Sequence, residues 1–178
     1  MGSGAEGRRS RVFFALWPDE DVRDALAALA CAAQAQCGGR AMAREKVHLT
    51  LFFVGEIEST RIAELETVAA SLRTERFALV LDRLGYWRHN HIVWAGASAC
   101  PPALASLAVD LKAALARVDI VGEDRLFAPH ITLVRNAARA PATTAFAPCA
   151  WRAREFALVE SRPVAGGVRY DVRARWPL

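Results

Sequence analysis

The stretch KVHLTLFFVG, residues 46–55, decides how this chain is read. It contains His48-Leu49-Thr50-Leu51, and the pattern returns in FAPHITLVRN, residues 127–136, as His130-Ile131-Thr132-Leu133. The chain has only 4 histidines, so half of them stand at equivalent places of a repeated motif. Both stretches are short apolar runs of the kind that form strands. Side chains alternate faces along a strand, so His48 and Thr50 share one face while Leu49 and Leu51 take the other. His130 and Thr132 likewise share a face opposite Ile131 and Leu133. Each strand then offers an apolar face to a core and a His-Thr pair to something else. Two such strands side by side, related by a pseudo-twofold axis, aim both pairs into one cleft. Chance duplication is the competing explanation, and the shared leucine flanks and strand context weigh against it.

Outward from the first motif the chain alternates strands and helices. RVFFALWP, from Arg11, reads as a buried strand closed by Pro18. Asp19 then starts a helix whose apolar face is Val22, Leu26, Leu29 and Ala33, stopped by Gly38-Gly39. Ser59 is the expected N-cap of a second helix, with Ile62, Leu65, Val68 or Ala69, and Leu72 inward. FALVLDRLGYW and HIVWAGA read as a strand pair around Arg88-His89-Asn90. Pro101-Pro102 opens a third helix carrying Leu104, Leu107, Leu111, Leu115 and Val118. The second motif is another strand, and the chain closes with two more, bent at Gly166-Gly167. Without strict strand-helix-strand alternation, the pattern is α+β with antiparallel-rich sheets. One motif per lobe is the simplest use of the repeat. The polar residues 1–10 read as a flexible N-terminal extension, and residues 11–178 as a single two-lobed domain.

Composition narrows the classes. A chain of 178 residues, 53% apolar and 24% charged, can bury a sizeable core and is not of a disordered type. No apolar run approaches the ~20 residues that cross a bilayer. The first ten residues lack the apolar core of a signal peptide, so the expected location is the cytoplasm. The formal net charge is +4. Lys46 and Lys112 are the only lysines, so nearly all the cationic charge is arginine, whose planar fork grips phosphate in bidentate fashion. An anionic partner such as RNA suits this surface, although coding bias produces the same composition. Cys31, Cys37, Cys100 and Cys149 lack metal-site spacing and read as idle thiols. His89 and His91 flank a turn residue with no third ligand nearby, so no metal site is expected there.

Two facing histidines with two facing threonines suit displacement at phosphorus. One proton must leave the attacking oxygen and another must reach the leaving oxygen, and imidazole can do either near neutral pH. Threonine hydroxyls can donate to the non-bridging oxygens, where charge builds up. The reaction needs no metal, and the pattern leaves both the substrate and the two histidine roles open.

These residues resemble the two signature motifs of the two-histidine (2H) phosphoesterase superfamily, and within it the bacterial RNA 2′,3′-cyclic phosphodiesterase, or 2′-5′ RNA ligase-like, family. The similarity extends to RVFFALWPDEDVRDAL, VHLTLFFVGEI, RLFAPHITLVR and the ending with Ser161, Tyr170 and Trp176. It implies a bilobal α+β fold around a central cleft, a monomer and no cofactor. It implies hydrolysis of RNA ends bearing a 2′,3′-cyclic phosphate to a 2′-phosphate, with reversible, ATP-independent 2′-5′ joining of tRNA halves beside it. It assigns His130 to activate water and His48 to protonate the departing 3′ oxygen. Thr50, Thr132 and Arg135 become phosphate contacts, Phe127 a base-stacking candidate and Arg125 a further RNA contact. Arg135 conflicts with strict alternation, which puts it opposite His130 unless the strand ends or twists near Val134.

Two other functions compete. The same chemistry could act on small cyclic phosphates or 2′-5′ oligoadenylates. A non-catalytic RNA-binding module is the third, but the aromatic sheet motif of such modules is missing here, and the paired histidines would have no task.

Overall fold

The computed structural model describes residues 8–122 and 126–178, and Arg125 lies outside them. Among the described residues ten strands and three α-helices follow one another: β1 (Arg9–Leu16), α1 (Glu20–Cys37), β2 (Arg40–Ala41), β3 (Leu49–Glu58), α2 (Ile62–Ala70), β4 (Phe77–Leu81), β5 (Arg83–Trp87), β6 (Ile92–Gly96), α3 (Pro102–Ala116), β7 (His130–Arg135), β8 (Cys149–Ala153), β9 (Glu155–Val164) and β10 (Gly167–Pro177). The main sheet has 8 strands in the order β10-β9-β1-β3-β7-β6-β5, with β2 also on β7. A second sheet of 2 strands pairs β4 with β8. Every strand pair described is antiparallel.

One residue pair joins the halves of the main sheet. Leu49 lies opposite Ile131, and among the described residues β3 and β7 pair nowhere else. Both side chains are fully buried. On that face the sheet meets the helices: Val22, Leu26 and Ala30 of α1, Ile62 and Leu65 of α2, and Leu104, Leu107 and Leu111 of α3 share one core with Leu49, Ile131 and Leu133. At about 1.5–3 kcal/mol for each fully buried large apolar side chain, this layer is what holds the two halves in register. The His-Thr pairs take the opposite face, where His48, Thr50, His130 and Thr132 are half-buried rather than buried.

Several local features depart from the sequence pattern. β1 starts at Arg9 rather than Arg11, because buried Ser10 bonds the Glu160 carboxylate at 2.8 Å and the Ser59 hydroxyl at 2.8 Å. Ser59 is no helix cap: its hydroxyl donates to the Arg8 carbonyl at 2.6 Å, and a 3-10 turn, Ser59–Arg61, precedes α2. The run FALVLDRLGYW breaks at Asp82, whose carboxylate takes the Ser98 amide at 2.7 Å and the Ser98 hydroxyl. That break sends β4 to the small sheet and β5 to the large one. β8 was not expected, although Trp151 and Ala153 are buried while Ala150 and Arg152 are exposed, a period-2 signal short enough to miss.

The repeat extends to its irregularities. In β3, Phe14 pairs with Phe52 and Ala15 with Thr50, so Leu51 is an extra residue. In β7, Val93 pairs with Val134 and Trp94 with Thr132, so Leu133 is extra. A bulge therefore falls at the fourth residue of each tetrapeptide and shifts the alternation by one. Leu51 and Phe52 both turn inward, as do Leu133 and Val134, leaving Phe53 and Arg135 to return to the His-Thr face.

Candidate active site

The Leu49–Ile131 bridge sets the site. In an antiparallel pair, opposite residues point to the same face, so one step to either side brings His48 toward Thr132 and Thr50 toward His130. The histidines take one diagonal of this quartet and the threonines the other, and such diagonals span about 7–8 Å. That is a suitable span for one tetrahedral phosphate with an imidazole on either side. Equivalent residues meet across the bridge, as a local twofold axis requires.

Both imidazoles are anchored the same way. His48 Nδ1 donates to the Lys46 carbonyl at 2.6 Å, and His130 Nδ1 donates to the Ala128 carbonyl at 2.8 Å. A carbonyl oxygen can only accept, so the ring proton sits on Nδ1 and each neutral imidazole keeps its Nε2 lone pair for chemistry.

The surroundings differ. His48 is enclosed by Trp17, stacked at 4.9 Å and 23°, by Phe13 at 5.1 Å and by the edge of Tyr170 at 5.3 Å. These rings exclude water, and burial pushes the His48 imidazole from 6.5 down to about 4. The positive charges of Arg135 and His130 push the same way, against the Lys46 carbonyl bond. His130 meets the edge of Trp87 at 4.6 Å, and Trp87 rests on Trp94 at 5.4 Å. Trp94 lies flat where a Cβ on Gly85 would overlap its ring, so glycine there is required for the packing.

A cavity of about 410 Å³ opens beside the quartet, lined by Thr50, His130, Thr132, Arg135 and Phe127 among others. The structure thus brings those five candidates together. His48 shares their sheet face and is half-buried like them, but it stands against its aromatic neighbours rather than among the residues lining the cavity. Arg135 reaches the cavity because the Leu133 bulge corrects the phase of the strand, which resolves the conflict with strict alternation. Gly39, at φ +82°, packs so closely that a Cβ would come 2.5 Å from the Arg135 carbonyl oxygen, fixing the strand end that carries Arg135. His91 instead contacts the Tyr86 hydroxyl through Nδ1 at 3.1 Å. No group of three or more His, Cys, Asp or Glu that could hold a metal stands together among the described residues. No described helix is long and apolar enough to cross a membrane.

Sequence reasoning passed over Arg11, which lines the cavity beside Phe53, an aromatic it weighed between base stacking and core; the Arg11 guanidinium lies 5.0 Å from the centre of the Phe53 ring. The repeat itself holds the missed signal: Phe53 stands in the first copy where Arg135 stands in the second. It also passed over Phe13, and it weighed Trp17 only as a stacking or core residue; the packing of both on His48 joins distant segments and leaves no local trace.

Comparison with known proteins agrees with this geometry. The family described as LigT like Phosphoesterase matches residues 16–94. The RNA 2′,3′-cyclic phosphodiesterase of Escherichia coli is 33% identical over 171 residues, covering 94% of this chain and 96% of its own. A protein of the same description from Thermus thermophilus is 31% identical over 179 residues, covering 94% and 90%. The crystal structure of E. coli LigT complexed with 3′-AMP superposes with a TM-score of 0.89 at 31% identity, over 96% of this chain and 99% of that one.

Proposed function

The chain belongs to the LigT-like phosphoesterases, and we propose that it hydrolyses the 2′,3′-cyclic phosphate ends of RNA to 2′-phosphates. The observation that carries the proposal is the Leu49–Ile131 bridge, which sets two anchored imidazoles and two hydroxyls on one open face. In the reaction, water attacks phosphorus, the bond from phosphorus to O3′ breaks, and O3′ leaves with a proton. One imidazole Nε2 takes the proton from water while the other, as imidazolium, delivers one to O3′. Thr50, Thr132 and Arg135 hold the non-bridging oxygens as negative charge grows on them.

The family resemblance makes His48 the acid. Its burial leaves it neutral at pH 7 in the free protein, so that role requires the substrate's anionic phosphate to draw a proton onto it. The same resemblance makes His130, which lines the cavity, the base. If a ribose 5′-hydroxyl takes the place of water, the same proton transfers yield a 2′-5′ phosphodiester without ATP. Ends of cleaved tRNA are therefore candidate substrates, handled by a cytoplasmic monomer.

Purified protein in EDTA with a 2′,3′-cyclic oligonucleotide tests this directly. Production of 2′-phosphate should fall by at least about 10³-fold in His48→Ala and in His130→Ala, since each removes a proton-transfer group and leaves its partner alone. Full activity surviving either substitution rules out the two-histidine mechanism.

A further inference from the structure

We propose that Arg11, held on the Phe53 ring, is a second phosphate subsite, which takes the phosphodiester next to the reacting cyclic phosphate and so favours an RNA end over a mononucleotide. The proposal rests on the phosphodiesterase reading of the quartet and adds a distinct group to it. Its first support is the broken symmetry of the repeat. At the position where the second motif supplies Arg135, the first supplies Phe53, about half exposed at 47%. The Arg11 guanidinium lies 5.0 Å from the centre of this ring, within cation–π range. Each end of the quartet thus carries one guanidinium, by a different route.

Charge is the second support. Arg11 and Arg135 both line the cavity, and neither has an ion pair with a described carboxylate. Elsewhere on the surface arginines are commonly neutralised, as in Arg44 with Asp24, Arg61 with Glu64, Arg169 with Asp171 and Arg175 with Glu155. No Asp or Glu is among the described residues lining the cavity. Two guanidinium groups lining one cavity, neither ion-paired to a described carboxylate, favour two anionic groups on one ligand.

Distance is the third. Phe53 stands three residues beyond Thr50 on β3, roughly 10 Å along an extended strand at ~3.3 Å per residue. An arginine stem on the Phe53 ring can cover part of that gap, which leaves a neighbouring nucleotide's phosphate within its reach. A lone mononucleotide carries no phosphate for this position, whereas every RNA end does.

The test compares three substrates on the full chain: cytidine 2′,3′-cyclic phosphate, the dinucleotide ApC with the same cyclic end, and that dinucleotide with a neutral methylphosphonate linkage. Wild type should prefer the charged dinucleotide. Arg11→Gln should lower kcat/KM on it about tenfold more than on the mononucleotide, the loss expected for one charge-assisted phosphate contact. The neutral linkage should abolish that difference, and Arg11→Lys should restore part of it. The slope of log kcat/KM against log salt should become shallower by about 0.7 in Arg11→Gln on the charged dinucleotide alone. Equal losses on all three substrates, or none, overturn the subsite. Binding of the products Cp and ApCp, followed by tryptophan fluorescence, needs no turnover. If no cyclic substrate is cleaved but ApCp still binds tighter than Cp through Arg11, the phosphodiesterase reading fails and the subsite stands. Loss of that difference removes the subsite.

Discussion

His48→Asn measured against wild type across pH isolates the cost of keeping an imidazole inside the Phe13–Trp17–Tyr170 enclosure. Asparagine keeps a donor near the Lys46 carbonyl and has no titration in this range. In wild type, burial holds the folded imidazole at about 4, against 6.5 when exposed. Because the folded value is depressed, the unfolded chain binds the extra proton first as pH falls. His48 therefore subtracts nothing above pH 6.5, erodes stability as pH falls from 6.5 toward 4, and adds no further loss well below that. At 1.36 kcal/mol per pH unit, the erosion comes to about 2 kcal/mol at pH 5 and about 3 kcal/mol at pH 4. Urea unfolding of both proteins at pH 7, 6, 5 and 4, read by tryptophan fluorescence, gives the difference after the other titrating groups cancel. The wild-type advantage over His48→Asn should shrink by those amounts. NMR titration of the His48 ring proton should give the same midpoint directly, and saturating inorganic phosphate should raise it, with proton uptake on binding. A difference that stays flat with pH, or a ring midpoint near 6.5, refutes the enclosure as the cause. A midpoint unmoved by phosphate removes His48 as the acid.

Four further outcomes follow from the same geometry. Trp17→Leu should admit water to His48 and raise its midpoint toward 6.5, visible in the same NMR titration with the fold intact by circular dichroism. Arg135→Lys should lower kcat/KM about 10- to 100-fold with little change in Tm, because the ammonium cannot grip phosphate through two parallel bonds. Gly39→Ala should cost about 2–3 kcal/mol in chemical denaturation, combining a positive φ with the clash at the Arg135 carbonyl, and should lower activity by shifting Arg135. Glu160→Gln should cost about 1–3 kcal/mol, since buried Glu160 accepts from Arg162 and Ser10. Those bonds hold its carboxyl below the ordinary value, so its contribution should fade as pH drops through the carboxylate range in wild type and not in the variant.

The order of strands and helices was readable because apolar periodicity survives without tertiary context. Val22, Leu26 and Ala33 are buried on α1, and Leu104, Leu107, Leu111 and Leu115 on α3, as a 3.6-residue period requires. What periodicity could not reveal lay where side chains compete with the backbone. Asp82 ended a strand by taking bonds from Ser98, and Ser59 turned toward Arg8 instead of capping a helix. Neither choice is encoded within a local window. The same limit explains Arg11: its tie to Phe53 crosses from β1 to β3.

The bulges show why a motif can be legible while its site is not. Period 2 correctly placed His48 with Thr50 and His130 with Thr132, then failed at the next residue in both strands. A chain that obeyed it throughout would bury Arg135 in the helix-covered core, at a desolvation cost of several kcal/mol for an unpaired guanidinium. The alternative was a twist or an end to the strand, and the extra residue at Leu133 achieves the same result while keeping Val134 paired with Val93. Leu51 and Leu133 are thus more than core filler: two consecutive inward residues after each threonine are the trace of a phase shift. The repeat unit is better written as His-apolar-Thr-Leu-apolar-X, where X returns to the open face. On that reading X is Arg135 in one copy and Phe53 in the other, and the difference between them is where the two halves of the cleft part in chemistry. Deleting Leu133 should therefore remove the bulge and still leave Arg135 on the open face. The shortened strand would alternate strictly, with Thr132 outward, Val134 inward and Arg135 outward, so phosphate binding should survive, as it should in Leu133→Ala at a cost of about 2–5 kcal/mol; loss of phosphate binding on the deletion refutes the bulge as the cause of the phase shift.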